Sequence, residues 1–423
     1  MKRNTKIYSG EAVTLHQVLR WADQQPCFLY LNGNGHDTFY DTFPHMILAG
    51  QRENINSHEN SFAKLEELLR QKNWTYGFFS YDLKNEIETL ESRSPATIGV
   101  EHANFAIPET IIRFEEGGME IDSFTNPDEL LGEIKSTQFQ SDQGAIEIKP
   151  PKSNTSRKHY IENVNKIKDA IVEGEFYEMN YCIEYTAKSS SFDPLHCYEN
   201  LNEISPMPFS VLMKFESKYL ICASPERFLK KQGNKIISQP IKGTTKRSFD
   251  KQEDDLLKKQ LLESEKERAE NLMIVDLVRN DLAKSAETGS VKVEDLFGIY
   301  TFKRIHQMIS TVSALHDPEI PMTDIIKNAF PMGSMTGAPK IRVMEEIDAL
   351  ETSARGLYSG AVGFFTPDGN FDFNVVIRSI IYDANSGQIS FHVGSAITYD
   401  SDPEHEYNEC LLKAESLFEV LAK

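Results

Sequence analysis

Two pairs of glutamates with helical spacing constrain most strongly how this chain can fold. Glu267 and Glu270 are three residues apart, as are Glu406 and Glu409, and each pair lies within an apolar pattern of helical period. Because residues three apart share one face of a helix, the pattern predicts two helices that each present a carboxylate pair. The second helix is predicted to begin after Asp402, which can cap it, with a proline in its first position.

These carboxylate pairs permit two interpretations. Two helices that meet could hold a hard divalent cation, because Mg²⁺ binds a few carboxylate oxygens and keeps its other positions for water or substrate. The chain also has 64 acidic and 45 basic residues, a formal charge of −19. In such an acidic chain, glutamate pairs are typical of solvated helix faces as well, and the residues alone leave both interpretations open.

A lysine lies between a proline and a glycine in the segment Pro240 to Thr244. The rigid proline and the permissive glycine predict a tight turn from which the ammonium of Lys242 projects. An amine held in this way could serve as a nucleophile, and it could also be an ordinary solvated surface charge.

Three further segments combine small residues with groups that bind anions. Gly333 to Lys340 predicts a loop that opens onto a helix at Pro339, whose free N–H groups could receive a carboxylate, and its spacing is not that of a nucleotide-binding loop. Val375 to Ile381 predicts a strand carrying Arg378, which suits a carboxylate ligand or an internal salt bridge. His392 to Ala396 ends the next strand with small residues that let the backbone approach a ligand.

A polar stretch from Thr125 to Arg157 divides the chain. It predicts a boundary or a long loop between an N-terminal region at residues 1–150 and a C-terminal region at residues 151–423. After it, an apolar pattern predicts a helix from Lys158 to Glu173 that stops at Gly174.

Composition agrees with a soluble metabolic enzyme. The charge of −19, with no basic run to offset it, argues against binding to nucleic acid or an anionic membrane, and no apolar run reaches membrane-spanning length. The five cysteines are odd in number and lack Cys-x-x-Cys spacing, which predicts reduced thiols and a cytoplasmic location.

Taken together, these segments resemble the chorismate-utilising enzymes over roughly residues 158–423, with an extension near the N-terminus. The order of the matching segments makes the resemblance specific. They are Ser224 to Phe228, Pro240 to Thr244, Ala269 to Leu282, Gly333 to Lys340, Gly356 to Phe365, Val376 to Ser379 and Asp400 to Glu409.

The resemblance implies a fold and a metal site. The expected fold is α+β, a large anthranilate-synthase-like sandwich of two packed, antiparallel-rich sheets flanked by helices, to which both regions of the chain contribute. The expected cofactor is Mg²⁺, which in the family bridges two glutamates and the ring carboxylate of chorismate. By this resemblance Glu270 and Glu409 are the ligands, with Glu267 and Glu406 beside them.

The lysine at 242 points to one branch of the family. Relatives that make anthranilate, isochorismate or salicylate usually carry a small residue there, whereas aminodeoxychorismate synthases carry lysine. The resemblance implies that Glu226 protonates the departing 4-hydroxyl while Lys242 attacks C2 of the ring. Ammonia then displaces the lysine adduct at C4 and gives 4-amino-4-deoxychorismate, in the folate and para-aminobenzoate branch. The lysine must be neutral to attack, and the metal and desolvation are expected to lower its pKa.

Other positions are expected to line the same substrate pocket. Glu178 departs from the family, because relatives that use ammonia commonly have glutamine there and those that use water tend to have lysine. It could orient or deprotonate incoming ammonium, or be a neutral replacement. The remaining pocket residues implied by the resemblance are Arg378, Tyr358, Lys413, Gly394, Ser395, Thr336, Gly337 and His306.

The source of ammonia and the exact activity remain open from the sequence. No segment resembles a cysteine-nucleophile glutaminase, so a separate glutamine amidotransferase subunit or free ammonia is expected. One alternative is anthranilate synthase component I or another chorismate-converting member of the family. An alternative of a different class is a non-catalytic subunit that binds chorismate or serves as a scaffold for the amidotransferase.

Overall fold

The computed structural model describes residues 3–10, 12–36, 38–137 and 148–422. Its helices, in chain order, are α1 (Leu15–Asp23), α2 (Ser61–Leu69), α3 (Lys84–Ile87), α4 (Pro127–Ser136), α5 (Arg157–Val172), α6 (Pro194–Ile204), α7 (Lys251–Glu263), α8 (Glu265–Ala283), α9 (Met322–Ala329), α10 (Lys340–Leu350) and α11 (Pro403–Leu421).

The strands alternate with these helices along the chain. In chain order they are β1 (Asn4–Ser9), β2 (Cys27–Asn32), β3 (Met46–Ala49), β4 (Glu53–Ser57), β5 (Thr75–Phe79), β6 (Ala103–Ile107), β7 (Thr110–Glu115), β8 (Gly118–Ser123), β9 (Lys152–Ser153), β10 (Glu178–Lys188), β11 (Phe209–Phe215), β12 (Lys218–Ser224), β13 (Arg227–Gln232), β14 (Lys235–Gln239), β15 (Ile241–Lys246), β16 (Lys292–Thr301), β17 (Ile305–Leu315), β18 (Gly337–Ala338), β19 (Ala361–Phe365), β20 (Phe371–Val375), β21 (Ser379–Asp383) and β22 (Gln388–Ile397).

The strands form two large antiparallel sheets. The first has the order β1-β8-β7-β3-β2-β11-β12-β21-β22-β10-β18, with β9 beside β10. The second has the order β15-β17-β14-β13-β20-β19-β5-β6-β4, with β16 beside β17. Strands from both sides of residue 150 are therefore paired in each sheet.

The two sheets pack face to face, and helices cover their outer faces. Strand β2 illustrates the arrangement, because successive side chains on a strand point to opposite faces. Leu29 and Leu31 join an apolar cluster with Phe78 and Val362 of the second sheet, whereas Phe28 joins a cluster with the surrounding helices. A third cluster lies between the second sheet and α2, α8 and α9. The predicted α+β sandwich of two packed sheets is confirmed.

Several local predictions agree with the structure. Helix α5 begins after Ser156, whose hydroxyl accepts from the His159 N–H, and the chain turns at Gly174 with φ +87°. Helix α11 begins after Asp402, whose carboxylate accepts from the His405 N–H. In the polar stretch from Thr125 to Arg157, α4 and β9 are ordered elements, and residues 138–147 lie outside the described residues. The proposed boundary near residue 150 stays a prediction.

Two further findings concern the cysteines and the helices. All five cysteines are buried and unpaired. Within the described residues, no helix combines the length and the apolar character needed to cross a bilayer.

Candidate active site

A cavity of about 150 Å³ lies where β10 and β22 of the first sheet approach β15 of the second, beneath α8 and α11. Ten of the residues predicted from the sequence line it. They are Glu226, Lys242, Glu267, Glu270, Tyr358, Arg378, Gly394, Glu406, Glu409 and Lys413.

The two glutamate pairs come together on one side of this cavity, as the family resemblance implied. Helix α8 begins after Ser264, whose hydroxyl accepts from the Glu267 N–H and fixes the first turn. Burial raises the pKa of Glu270 to about 7. Burial also raises the pKa of Glu267, and the charge of Glu409 on the facing helix adds to this effect. The two pairs therefore interact across the gap between α8 and α11.

The chemistry of this carboxylate cluster fits a hard divalent cation. Oε1 of Glu270 is buried without a hydrogen-bond partner, so this oxygen has the capacity to accept a ligand. Single ligand atoms of His405, Glu406 and Glu409 lie within 4.8 Å of one another, although His405 is exposed. Oxygen ligands of this kind suit Mg²⁺.

Lys266 lies between the two glutamate pairs and was missed by sequence reasoning. Its Nζ is 3.8 Å from Oε1 of Glu270 and 3.5 Å from Oε1 of Glu406, so the lysine partly offsets the repulsion among the carboxylates. The residue directly precedes Glu267 in the chain, and this was the available signal.

Lys242 projects into the cavity from a strand, and the predicted tight turn is wrong. It belongs to β15, where a bulge between Ile241 and Thr244 and the positive φ of Gly243 (+87°) redirect the chain within the sheet. The side chain is only 9% exposed, and its Nζ lies 2.5 Å from Oε1 of Glu178.

The environment of Lys242 favours the ammonium form. Burial acts to lower its pKa, but nearby carboxylates, Glu178 first among them, outweigh burial, so the pKa is raised above the ordinary lysine value. The expectation that desolvation makes this amine neutral is therefore not met in this arrangement. Carboxylates around the amine, chiefly Glu178, Glu270 and Glu226, stabilise its positive charge.

Glu226 lines the same cavity as Lys242 and has the properties of a proton donor. It is 4% exposed, and its Oε1 accepts a 2.6 Å hydrogen bond from the hydroxyl of Ser334. Burial raises its pKa to about 7, although the Ser334 hydrogen bond and the charge of Lys242 act in the opposite direction. A carboxyl group with this pKa is partly protonated near neutrality.

Arg378 provides a cation for an anionic ligand. Burial lowers its pKa to about 10, which still leaves the guanidinium charged at neutral pH. Among the residues that the structure describes, no carboxylate forms an ion pair with it. The predicted continuous strand is wrong here, because β20 ends at Val375 and β21 begins at Ser379. The chain crosses from one sheet to the other between them, and Arg378 takes a positive φ of 51°.

Lys413 and Tyr358 complete this cationic end of the cavity. Nζ of Lys413 lies 2.7 Å from Oε1 of Glu409 and donates a 3.0 Å hydrogen bond to the carbonyl of Gly394. The ring of Tyr358 stacks on His392, with centroids 5.1 Å apart and planes 17° apart. Burial lowers the pKa of His392 to about 3, so this ring is neutral.

Two of the predicted pocket residues support the cavity from behind. Thr336 is fully buried, and its hydroxyl donates a 3.0 Å hydrogen bond to the carbonyl of Met332. Gly337 pairs with Met179 at the sheet edge, and a Cβ at this position would lie 2.0 Å from the carbonyl oxygen of Glu178. Their role in the described structure is to hold the segment that carries Ser334.

Ser395 and His306 also point away from the cavity. Oγ of Ser395 lies 2.9 Å from the hydroxyl of Tyr160, and Nε2 of His306 lies 2.9 Å from Oδ1 of Asp254. Adjacent residues on a strand face opposite sides, so the residue after His306, Gln307, lines the cavity instead. Sequence reasoning did not propose Gln307 or the other lining residues Asn180, Ser334 and His392 as site residues.

A larger vestibule of about 610 Å³ adjoins this cavity. The two share Thr244, Arg378, Glu409 and Lys413, so the vestibule leads directly to the cationic end of the site. Four basic residues line its outer part, against two acidic residues there, Glu415 and Glu419. The basic residues are Lys246, Arg247, Lys303 and Arg304.

The sequence is similar to those of several curated relatives. It is 45% identical over 269 residues to a probable chloroplastic aminodeoxychorismate synthase of Oryza sativa subsp. japonica, covering 63% of this chain and 30% of that protein. It is 33% identical over 356 residues to aminodeoxychorismate synthase component 1 of Escherichia coli (strain K12), covering 82% and 76%. Anthranilate synthase component 1 of Saccharolobus solfataricus is also 33% identical, covering 81% and 79%. The chain thus spans about a third of the length of the rice relative.

The fold is likewise shared with solved structures. The crystal structure of anthranilate synthase component I from Streptococcus pneumoniae TIGR4 superposes with a TM-score of 0.78 at 23% identity, covering 98% of this chain and 99% of that chain. The predicted anthranilate-synthase-like fold is therefore confirmed. The sequence profile of the chorismate binding enzymes matches residues 21–419, which include every side chain placed in the cavity. By this match, which spans nearly the whole length, the chain belongs to the family of chorismate binding enzymes.

Proposed function

We propose that this protein aminates chorismate at C4 to give 4-amino-4-deoxychorismate, with Mg²⁺ as cofactor. The observation that carries the proposal is the presence of Lys242 and Glu226 in one cavity, where a nucleophile and a proton donor can act on the same ring. Relatives named aminodeoxychorismate synthase at 33–45% identity support the same reaction.

The charges around the cavity suit a substrate with two carboxylates. Arg378 has no carboxylate partner among the described residues and can bind one carboxylate through two parallel N–H donors. The glutamate cluster on α8 and α11 is suited to the other carboxylate through the metal. Glu270 and Glu409 would hold the Mg²⁺, with Glu267 and Glu406 beside them. The bound ion would supply positive charge that anchors the ring carboxylate.

Glu226 and Lys242 then divide the chemistry between them. The protonated carboxyl of Glu226 gives its proton to the 4-hydroxyl, which leaves as water. The amine of Lys242 attacks C2 and forms a covalent adduct, and ammonia displaces this adduct by attack at C4. Splitting the substitution into two steps lets ammonia enter at the carbon from which the hydroxyl departed.

The ammonia is proposed to come from a separate glutamine amidotransferase subunit. The name of the Escherichia coli relative, component 1, is consistent with a second component. Free ammonia would serve the same reaction, because the attack at C4 needs only uncharged NH₃.

Anthranilate synthesis is the second candidate. The relative of that name in Saccharolobus solfataricus is as similar in sequence as the Escherichia coli relative, at 33% identity. The two candidates differ in the carbon that receives nitrogen, and Lys242 favours C4 because its adduct occupies C2.

The product decides between these functions. The purified protein is incubated with chorismate, Mg²⁺ and an ammonium salt, and the products are separated and identified by mass and by comparison with standards. We expect 4-amino-4-deoxychorismate. Anthranilate as the main product would replace the proposed function with the second candidate, and complete recovery of chorismate would favour a non-catalytic binding or scaffolding subunit.

A further inference from the structure

Glu178 is buried directly behind Lys242. It is the first residue of β10, is 0% exposed, and does not line the cavity. Its Oε1 accepts the 2.5 Å hydrogen bond from Nζ of Lys242, and its Oε2 is buried without a hydrogen-bond partner. A carboxylate in such a setting has one close neighbour with which it can exchange a proton, the lysine.

Lys242 cannot attack a carbon while it is an ammonium ion, because that form has no lone pair. The carboxylates around it stabilise the charged form. The 2.5 Å hydrogen bond from Nζ to Oε1 of Glu178 holds the amine in an ion pair, so a proton acceptor is needed during the attack.

Of the carboxylates that act most strongly on Lys242, which are Glu178, Glu270 and Glu226, only Glu178 is placed to accept its proton. Glu226 and Glu270 influence the lysine through their charges, and neither forms a hydrogen bond or ion pair with it within the described part of the chain. Glu226 is bonded to Ser334 and is the donor to the leaving hydroxyl. Glu270 belongs to the carboxylate cluster on α8.

We propose that Glu178 is a catalytic base that takes a proton from Lys242 as the amine attacks the substrate. The inference rests on the proposed function. The N–H electrons remain on nitrogen as the lone pair that forms the bond from Nζ to C2. The C1–C2 π electrons move to C1–C6, the C5–C6 π electrons move to C4–C5, and the C4–O bond breaks. The hydroxyl departs as water with the proton of Glu226.

Glu178 returns its proton in the second half of the reaction. Ammonia attacks C4, the π electrons move back toward C1–C2, and the bond between C2 and Nζ breaks. The departing amine recovers the proton that Glu178 holds, so the ion pair seen in the structure is regenerated. A single buried carboxylate thus serves both steps, and no proton has to cross the cavity between them.

A counter-ion role for Glu178 makes the opposite prediction. A carboxylate that only stabilises the ammonium raises the pKa of Lys242, so its removal would lower that pKa and increase the fraction of free amine at neutral pH. Adduct formation would then be as fast or faster in Glu178→Gln. A catalytic base predicts slower adduct formation in the same variant, because the proton acceptor is lost.

The test measures formation of the Lys242 adduct directly. Wild type and Glu178→Gln are mixed with saturating chorismate and Mg²⁺ without ammonia, quenched at intervals, and weighed by intact-protein mass spectrometry. We expect the adduct to form roughly a hundredfold or more slowly in Glu178→Gln, the usual size of a general-base contribution. The ratio of variant to wild-type rate should rise with pH, because hydroxide and the free amine replace the missing base.

Two further variants control for damage to the fold. Glu184→Gln makes the same change at another buried carboxylate of β10, which is bonded to Ser390 away from the cavity. It should form the adduct within a few-fold of the wild-type rate. Glu178→Asp keeps the base but moves it back by one methylene, so its rate should lie between those of wild type and Glu178→Gln, even where the Gln variant folds poorly.

The outcomes separate the inference from the proposed function. Absence of an adduct in wild type would overturn the proposed lysine chemistry itself. An adduct in wild type that forms equally fast or faster in Glu178→Gln, with a pH-independent ratio, would overturn the role of Glu178 alone. Slow adduct formation in Glu178→Gln that recovers at high pH, together with a rate near that of wild type in Glu184→Gln, supports the role of Glu178.

Discussion

The hydroxyl of Ser334 donates a 2.6 Å hydrogen bond to Oε1 of Glu226, although the two residues are 108 positions apart in the chain. The contact joins the glycine-bearing segment before α10 to the short connection between β12 and β13. It also acts on the acid, because the hydrogen bond stabilises the carboxylate while burial stabilises the carboxyl group. The balance leaves the pKa of Glu226 at about 7.

The first prediction concerns the pH dependence of turnover. Glu226 can donate only while it holds its proton, so kcat should fall as pH rises through about 7. Ser334→Ala removes a hydrogen bond that lowers this pKa. The pKa of Glu226 should therefore increase, and the alkaline limb of the profile should move to higher pH by roughly one unit or less. A profile measured at saturating chorismate checks both statements.

Replacement of Glu226 should lower kcat and remove its pH dependence. Glu226→Gln keeps the shape of the side chain but has no proton to transfer, so kcat should fall roughly a hundredfold or more. The alkaline limb assigned to Glu226 should disappear from what activity remains. If Glu226→Gln had the wild-type kcat and an unchanged alkaline limb in its pH profile, Glu226 would have a purely structural role.

The second prediction concerns the metal. Glu270→Ala and Glu409→Ala should each nearly abolish turnover, because the ring carboxylate loses its electrostatic anchor. The affinity for Mg²⁺, measured by calorimetry in the absence of substrate, should also decrease in these variants. Glu265→Ala provides a matched control, since this exposed glutamate lies on α8 and does not line the cavity. Full turnover of wild type after exhaustive chelation would contradict the assignment.

The helices that carry the glutamate pairs could be predicted because their signals are local. The spacing of Glu267 and Glu270, the cap at Asp402 and the apolar stripe of α11 all lie within a few turns of chain. That the two helices meet was implied by resemblance and not by spacing. The contact between Lys242 and Glu178 spans 64 positions, and no local pattern encodes it.

The wrong predictions have local physical causes. The apolar run around Arg378 has the composition of one strand, but the chain leaves one sheet and joins the other there, and the arginine adopts φ +51°. Lys242 was placed in a turn because proline and glycine flank it, whereas a bulge accommodates both within a strand. His306 was predicted to line the pocket, but its neighbour Gln307 does so. Adjacent side chains on a strand point to opposite faces, so an error of one position places the wrong residue in the pocket.

The third prediction concerns Arg378. Arg378→Ala should raise KM for chorismate by roughly ten- to a hundredfold, because one substrate carboxylate loses two charge-assisted hydrogen bonds. Arg378→Lys keeps the charge but not the planar pair of donors, so its KM should be intermediate. Steady-state kinetics at fixed Mg²⁺ checks the order. A KM for Arg378→Ala equal to that of wild type would place the substrate carboxylates elsewhere.

The fourth prediction concerns the vestibule. Lys246 and Lys303 form no ion pair with a carboxylate in the described ranges, so their charges are available to attract a dianion into a protein of net charge −19. We expect kcat/KM to fall as ionic strength rises, and the double change of both lysines to glutamine to weaken this dependence. Lys135→Gln, on α4 at the other end of the first sheet, is the control. An unchanged salt dependence in the double variant would exclude steering by these lysines.

The last prediction concerns the product made without Lys242. If its amine adds to C2 while the 4-hydroxyl departs, Lys242→Ala should lose the covalent adduct and most of its 4-amino-4-deoxychorismate. The remaining chemistry would then come from direct attack of ammonia or water at the vacated C2, which gives ortho-substituted products. A lysine that only attracts the dianion predicts a raised KM with the same product and no adduct in wild type. Product identification and peptide mass spectrometry distinguish the two roles, because only the nucleophile changes which carbon receives nitrogen.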